Sequence, residues 1–335
     1  NMLMRTARGA DRVFDFYGWQ GEIDVTNPAT REYVWNKLKE NYIDNGVDAL
    51  WFDEAEPEIH PEHFDNLIWY KGRADMVALL YPYYYSKMAY DGFKSIGRDD
   101  IITLTRCAYL GSQKFGSLVW SGDIESTFES LACQVKAGLN MAMCGIPWWN
   151  TDIGGFYGAD ITNDYFKELI VRWFQFGLFS PIMRLHGSRN RHFEPTPGLK
   201  EPSGDPNEIW SFGEENFEIL KNLIFIREKL RPYIQNQMDI ASKKGYPVMR
   251  PMFFEYPDDE MCYTLETQYM FGDDIIFAPV VEQGQTKKSV YIPDGEWILT
   301  KDKKIYTKGT YEITAEIDEF IAFVKKGSDV IKCFE

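Results

Sequence analysis

The chain has 335 residues, 44% of them hydrophobic and 16% aromatic, which suffices for one large or two medium-sized domains with packed cores. A net charge of -15 argues against a nucleic-acid partner, because binding a phosphate backbone requires positive charge. No apolar stretch is long enough to span a membrane, and five scattered cysteines without a C-x-x-C motif favour a reducing, cytoplasmic location over a disulfide framework or a zinc ribbon.

Five apolar runs, each followed by a polar or charged residue, predict the strands of an α/β protein. In chain order they are VDALWF before Asp53, IITLT before Arg106, GSLVW before Asp123, MAMCGIPWW before Asp152, and GLFSPIM before Arg184 and His186. Runs that are apolar throughout are typical of parallel strands covered by helices on both faces.

The segments between these runs carry helix signals. Asn27 is predicted to cap a helix that has Pro28 in its first turn. Ser126 and Glu129 have the spacing of a capping box, and Asn163 opens a further helix. Strands that alternate with helices of this length predict βαβ units.

Polar residues at the ends of successive strands predict a (β/α)8 TIM-type barrel, whose active site lies at the C-terminal ends of its strands. A doubly wound sheet is the alternative, but no G-x-G-x-x-G motif follows a strand. Since the strands found are too few to close a barrel, we expect that only about the last five are present and that the chain is a C-terminal fragment. The exposed sheet edges would then be completed by the missing N-terminal part of the same protein or by a homo-oligomer.

The pattern changes after residue 258, where short apolar runs alternate with Gly, Pro and Asp turns. We therefore predict a partial barrel, the catalytic domain, over residues 1–258 and a small antiparallel β domain over residues 259–335. Residues 187–208 form a long polar segment, which we interpret as a rim of the active site.

Asp53 and Asp123 are the candidate catalytic residues, because parallel strands of one barrel would bring both to the same mouth. One carboxylate of such a pair attacks while the other donates a proton, as in glycoside hydrolysis with retention, where the two lie roughly 5–5.5 Å apart. A single strand-end aspartate is more often a solvated loop residue or a helix cap. Indole rings near these positions favour function, since they stack on sugar rings; they belong to Trp51, Trp120, Trp148 and Trp149.

Arg106 and His186 each allow two roles. Arg106 can bind sugar hydroxyls or hold a carboxylate in a structural ion pair, and His186 can donate to a hydroxyl or be a core residue.

Other candidate chemistries are less well supported. His60 and His63 suggest a metal site, but H-E-x-x-H is absent, and we expect no metal and no cofactor. No G-x-S-x-G elbow is present, and Cys107 has no histidine nearby in sequence.

Four segments together resemble glycoside hydrolase family 31, the retaining α-glucosidases and α-xylosidases. They are GVDALWFDEAEPE, TRCAYLGSQKFGSLVWSGD, GIPWWNTDIGGF and PIMRLHG, in the family's order, and WFDEAEPE is most similar to bacterial α-xylosidase-like members. The resemblance implies that Asp53 is the nucleophile and Asp123 the acid/base. It also implies that a set of further residues lines the cleavage subsite, namely Trp51, Arg106, Trp120, Asp152, Phe156 and His186. It gives no individual roles to Glu54, Glu56 and Glu58.

The predicted function is that of a retaining exo-α-glycosidase. It would release a terminal α-xylosyl or α-glucosyl residue from an oligosaccharide or small glycoside through a covalent glycosyl-enzyme. Xylose and glucose stay open, because the family's N-terminal sandwich and first barrel strands, which shape the space around C6, are not visible here. The alternatives are an α-glucan lyase or transglycosylase on the same fold, a non-catalytic carbohydrate-binding fragment, and a metal-dependent hydrolase.

Overall fold

Residues 2–9, 13–15, 19–56, 61–190 and 206–335 are described by the computed structural model. The chain folds as two units, residues 1–120 and residues 121–335. Residues 191–205 of the predicted rim lie outside the described residues, and so do Glu58 and His60. In the part of the chain that is described, no helix has the length and apolar character needed to cross a membrane.

The first unit contains a parallel sheet and two small antiparallel sheets. Its elements are β1 (Arg5–Thr6), β2 (Val13–Asp15), β3 (Trp19–Gly21), α1 (Pro28–Asn41), β4 (Leu50–Phe52), β5 (Leu67–Trp69), β6 (Gly72–Arg73), α2 (Ala74–Val77), α3 (Tyr81–Ser95), β7 (Thr103–Thr105) and β8 (Ser117–Trp120). One antiparallel sheet consists of β1, β5 and β6, and the other of β2 and β3. β4, β7 and β8 are parallel neighbours in that order, with Leu50 opposite Thr103 and Thr103 opposite Ser117. The first three predicted strands are therefore confirmed as parallel strands.

Helices α1 and α3 pack on each other and on β4. Trp35 of α1 meets Phe93 of α3 edge-on, with ring centroids 5.1 Å apart. Glycine is required at position 92, because a Cβ there would lie 2.0 Å from the Trp35 ring. Phe52 of β4 is buried in the same apolar cluster. This packing anchors the strand that precedes Asp53.

The second unit contains helices followed by an antiparallel β domain. Its elements are α4 (Phe128–Met143), β9 (Trp149–Asn150), α5 (Asp164–Leu178), α6 (Glu214–Lys229), α7 (Arg231–Lys244), β10 (Met249–Pro251), α8 (Met252–Glu255), β11 (Tyr269–Phe271), β12 (Ile275–Phe277), β13 (Lys287–Ile292), β14 (Trp297–Leu299), β15 (Ile305–Tyr306), β16 (Gly309–Thr314) and β17 (Ala322–Lys325). One antiparallel sheet has the order β10-β11-β12-β17-β14-β15, and β13 pairs with β16.

The predicted antiparallel strands after residue 258 are present as β11 to β17. The boundary at residues 258 and 259 stays a prediction, since β10 precedes it and forms the edge of the same sheet. A continuous apolar cluster fills the domain, and its largest fully buried side chain is Trp297.

Two of the three predicted helix caps are confirmed. Asn27 accepts a hydrogen bond from the backbone of α1, and Asn163 does so for α5. The prediction for α4 was wrong by one residue, because Thr127 is the cap and accepts from Ser130 N at 3.1 Å. Ser126 precedes the cap, and its backbone N–H donates to Tyr157 O at 2.9 Å.

The fourth predicted strand is much shorter than its apolar run, and the fifth is absent. The first three residues of MAMCGIPWW belong to α4, and the strand is only β9. GLFSPIM is not a strand, since its first two residues end α5, and a single parallel bridge joins Leu185 to Ile153. The apolar character of this run follows from the burial of α5 around its whole circumference near its end, which sequence periodicity does not distinguish from a buried strand.

Candidate active site

Asp53 follows β4 directly, at the C-terminal end of a strand in the parallel sheet. Alternation along β4 buries Phe52 and leaves Trp51 48% exposed. The side chain of Asp53 is 56% exposed. The next residue, Glu54, has a left-handed backbone with φ of 50°, and its N–H donates to Asp53 Oδ1 at 2.9 Å. The chain therefore turns sharply after the strand and fixes an accessible carboxylate at its end.

Arg106 follows β7 and joins two acids of the first segment. Its backbone N–H donates to Phe52 O at 3.3 Å, which continues the pairing of β7 with β4. Its Nη1 lies 3.4 Å from Asp53 Oδ1, and its Nε and Nη2 both lie 2.6 Å from Glu56 Oε1. Glu56, which the sequence left without a role, thus holds the guanidinium beside Asp53.

Cys107 lies next to this ion pair. Burial, together with the charge of Glu56, raises the pKa of its thiol well above the ordinary range. The thiol is therefore protonated at neutral pH. Since the thiolate is the reactive form of cysteine, this position does not support a thiol nucleophile.

The two candidate indoles of the first unit, those of Trp51 and Trp120, pack against each other. The rings of Trp51 and Trp120 are perpendicular, with centroids 5.6 Å apart. Trp120 is only 3% exposed, so Trp51 presents the accessible surface and Trp120 supports it. A direct sugar contact by Trp120 stays a prediction.

Asp123 is exposed and lies in the second unit, in a segment that is hydrogen-bonded to residues 152–157. We name residues 152–157 the central loop. Phe156 N donates to Ile124 O at 2.7 Å, Ser126 N donates to Tyr157 O at 2.9 Å, and Asp152 N donates to Ser121 Oγ at 3.1 Å. A hydrogen bond to the Ser121 side chain before Asp123, and backbone pairs after it, therefore attach Asp123 to the central loop.

Asp152 begins the central loop and is completely buried. It forms an ion pair with Arg184, whose Nε also donates to Asn150 Oδ1 at 2.9 Å. Burial lowers the pKa of Arg184, and the charge of Asp152 opposes that effect. Asp152 thus holds the loop in place; its predicted contact with a sugar stays a prediction.

Phe156 and His186 form a stacked pair, with ring centroids 5.8 Å apart and planes 24° apart. Ser188 N donates to Phe156 O at 2.6 Å, and Ile153 N donates to Arg184 O at 3.3 Å. The segment that carries His186 therefore pairs with the other side of the central loop. One loop connects Asp123, Phe156 and His186.

The two tryptophans before and in β9 differ. Trp148 is half-buried, and its role at a sugar stays a prediction. Trp149 is buried against α4, where a Cβ on Gly138 would lie 2.6 Å from its ring, so it is a core residue.

Each unit collects a part of the predicted site. Trp51, Asp53, Arg106 and Trp120 belong to the first, and Trp148, Asp123, Asp152, Phe156 and His186 to the second. The convergence of Asp53 and Asp123 on one sugar stays a prediction. Within the described ranges, no three or more His, Cys, Asp or Glu side chains are grouped to hold a metal ion.

Sequence reasoning missed two arginines, the half-buried Arg184 as the partner of Asp152 and the buried Arg189 as a donor to the central loop. The sequence contained one signal for them. Both arginines closely follow the apolar run PIM, and buried backbone carbonyls need hydrogen-bond donors.

Comparison with known proteins identifies the fold of the N-terminal and the C-terminal part of the chain. Residues 1–237 match the profile described as the glycosyl hydrolases family 31 TIM-barrel domain, and residues 245–330 match the glycosyl hydrolase family 31 C-terminal domain. The crystal structure of a GH31 α-xylosidase from a soil metagenome, complexed with xylose, superposes with a TM-score of 0.94 at 42% identity, covering 100% of this chain and 50% of that chain. The predicted barrel followed by an antiparallel β domain is confirmed.

Curated relatives agree with this result. The α-xylosidase of Saccharolobus solfataricus is 33% identical over 307 residues, 89% of this chain and 40% of that protein. The isomaltosyltransferase of Sporosarcina globispora is 32% identical over 318 residues, 91% of this chain and 27% of that protein. The chain spans less than half the length of either curated relative. With profile matches along nearly its whole length, the chain belongs to glycosyl hydrolase family 31.

Proposed function

We propose that the protein is a retaining exo-α-glycosidase with Asp53 as nucleophile and Asp123 as acid/base. The observation that carries the proposal is the exposed carboxylate of Asp53 at the C-terminal end of a parallel strand, held beside Arg106, in a chain that superposes along its whole length on a xylose-bound α-xylosidase. Accessible carboxylates at this end of barrel strands are where such enzymes carry out their chemistry.

The reaction proceeds in two displacements. Asp53 attacks the anomeric carbon while Asp123 protonates the departing glycosidic oxygen, which gives a covalent glycosyl-enzyme and a free alcohol. Asp123 then removes a proton from water, the water oxygen attacks the anomeric carbon, and the bond to Asp53 breaks. Two inversions retain the α configuration.

Arg106 and Trp51 support the first displacement. Arg106, held by Glu56, keeps a positive charge beside the attacking carboxylate. The exposed face of Trp51 offers an apolar surface of the kind on which sugar rings stack. A terminal α-xylosyl residue is the favoured substrate, because two of the compared proteins are α-xylosidases, and α-glucosyl is the second choice.

A panel of aryl α-xylosides and α-glucosides, assayed on the full-length gene product, tests the proposal. Asp53→Ala should lower kcat/KM by at least about 10⁴-fold while the circular dichroism spectrum stays unchanged. Asp123→Ala should lower kcat/KM strongly for poor leaving groups and little for good ones, because good leaving groups need no protonation. The matched control is Asp239→Ala, which removes an exposed acid from an exposed ion pair and should leave activity unchanged.

Retention of most activity by Asp53→Ala would overturn the nucleophile. A uniform loss across leaving groups in Asp123→Ala would remove that residue from the acid role.

Transglycosylation is a second candidate, favoured by the 32% identity to an isomaltosyltransferase over 91% of the chain. The first displacement is the same, and an acceptor sugar replaces water in the second. Mass spectrometry of products formed with excess acceptor distinguishes the two, since transfer yields an elongated sugar and hydrolysis a free monosaccharide.

A further inference from the structure

We propose that Arg189 is a positioning residue for the acid/base Asp123 and that it acts through the backbone of the central loop. The inference rests on the proposed function, because it assigns Asp123 the acid role. Arg189 donates to the carbonyls of the central loop, so its effect on Asp123 is transmitted by intervening backbone.

Arg189 is a buried arginine whose two Nη atoms donate to backbone carbonyls. It is 2% exposed. Its Nη1 donates to Gly155 O at 2.8 Å and to Gly154 O at 3.4 Å, and its Nη2 donates to Ile153 O at 3.2 Å. Three consecutive carbonyls of the central loop thus converge on one guanidinium.

The guanidinium is itself held from two sides. Its Nε donates to Asn207 Oδ1 at 2.7 Å, and Asn207 Nδ2 donates in turn to Gly187 O at 3.4 Å. The cation lies 4.9 Å from the ring centroid of Phe166 in α5. The planar fork therefore has one orientation, which a flexible ammonium would not reproduce.

Arg189 keeps its charge under assay conditions. Burial lowers its pKa to about 10, against the opposing charge of Asp152. At neutral pH it is a full cation, and its hydrogen bonds to carbonyls are charge-assisted.

The central loop passes this constraint to Asp123. Immediately after the carbonyls held by Arg189, Phe156 N donates to Ile124 O, the residue after Asp123, at 2.7 Å. A Cβ on Gly155 would lie 2.6 Å from Ser126 Cα, so the loop and the Asp123 segment are in direct backbone contact. A shift of the carbonyls therefore shifts the backbone that carries Asp123.

Misplacement of an acid has a specific kinetic signature. The value of kcat/KM reports glycosyl transfer to the enzyme, in which Asp123 protonates the leaving oxygen. A displacement of about 1 Å costs on the order of 100-fold, but only where the acid is needed. Substrates with good leaving groups are spared, whereas a general loss of folding lowers activity on all substrates equally.

The test compares Arg189→Met and Arg189→Lys in the full-length gene product, using aryl α-glycosides with a good and with a poor leaving group. We expect Arg189→Met to lower kcat/KM on the order of 100-fold for the poor leaving group and less than about 5-fold for the good one. Arg189→Lys, which keeps the charge, should show an intermediate loss with the same selectivity. If the methionine variant fails to fold, Arg189→Lys and Asn207→Ala, which frees the Nε of Arg189, carry the same measurement.

Arg172 offers a matched control. It is likewise a buried arginine that donates to backbone carbonyls, among them Ala315 O at 3.0 Å and Glu319 O at 3.0 Å. Those carbonyls belong to the β domain, so Arg172→Lys should lower both substrate classes by the same factor.

Equal losses on both leaving groups in the Arg189 variants would overturn the positioning role. Asp123→Ala, measured on the same pair of substrates, separates this failure from failure of the proposed function. If Asp123→Ala is selective and the Arg189 variants are not, only the inference falls; if Asp123→Ala is itself unselective, the acid assignment falls.

Discussion

The central loop and the C-terminal β domain belong to the same unit but are stabilised by different interactions. The loop is held by a few charged groups, chiefly the buried Asp152 with its partner Arg184, and the buried Arg189 on backbone carbonyls. The β domain is held by many apolar side chains and regular antiparallel pairing. Apolar packing is distributed and tolerates small changes, whereas a buried charge that loses its partner does not.

A substitution in the loop should therefore lower activity, whereas a substitution in the core of the β domain should lower stability alone. In the loop, the groups that hold the backbone also hold the predicted sugar contacts. In the β domain, the core residues lie among other core residues, so their loss creates a cavity and changes no catalytic group.

Arg184→Met tests the loop side of this comparison and has the largest expected effect. Removing the guanidinium leaves the buried carboxylate of Asp152 without this partner, which costs about 3–5 kcal/mol of unfolding free energy. The loop should also shift, so that kcat/KM falls by more than about 100-fold. Urea denaturation and kinetics with an aryl α-xyloside measure the two effects.

The control for this prediction is Arg231→Met, which breaks an exposed pair with Glu228 and should cost less than about 1 kcal/mol. An Arg184→Met variant with the stability and activity of this control would show that the ion pair does not hold the loop.

Trp297→Ala tests the β-domain side. Trp297 is fully buried between strands of the six-stranded sheet, and truncating it should cost about 3–5 kcal/mol through the cavity left behind. The kcat/KM of the folded variant, measured well below its unfolding transition, should stay within about twofold of the wild-type value. A large loss of activity in a fully folded variant would contradict the separation between the two regions.

Local sequence patterns predicted the β domain and most of the helix starts. The strands of the β domain alternate with turns at short spacing, and the caps at Asn27 and Asn163 depend only on neighbouring residues. These features are local, so a sequence window contains the physics that determines them. The position of Asp53 at a strand end was predictable for the same reason, since an apolar run ends there.

The contacts that organise the site were not predictable, because they join residues far apart in the chain. Glu56 and Arg106 are separated by 50 positions, and Arg184 and Asp152 by 32. No periodicity marks such pairs. The missing strand at GLFSPIM has a related cause, since tertiary burial of α5, and not local propensity, made that run apolar.

The smallest expected effect on stability comes from relieving left-handed backbone strain. Among the described residues, Glu54 and Lys303 are the non-glycine residues with positive φ, at 50° and 61°. Lys303 lies in the turn between β14 and β15, whereas Glu54 directly follows Asp53. Relief of left-handed strain outweighs the added freedom of the unfolded chain, so Gly at either position should raise the unfolding free energy by about 1 kcal/mol.

Activity should separate the two variants. Glu54→Gly loosens the backbone that donates to Asp53 Oδ1 and should lower kcat/KM about tenfold, whereas Lys303→Gly should leave it unchanged. Glu54→Asn, which removes the charge but tolerates left-handed backbone, should retain more activity than Glu54→Gly. If the two glycine variants have equal activity, the strain beside Asp53 is a feature of the turn alone. A loss of activity at Glu54 only, with the same gain in stability at both positions, would show that the strained backbone constrains the proposed nucleophile, Asp53.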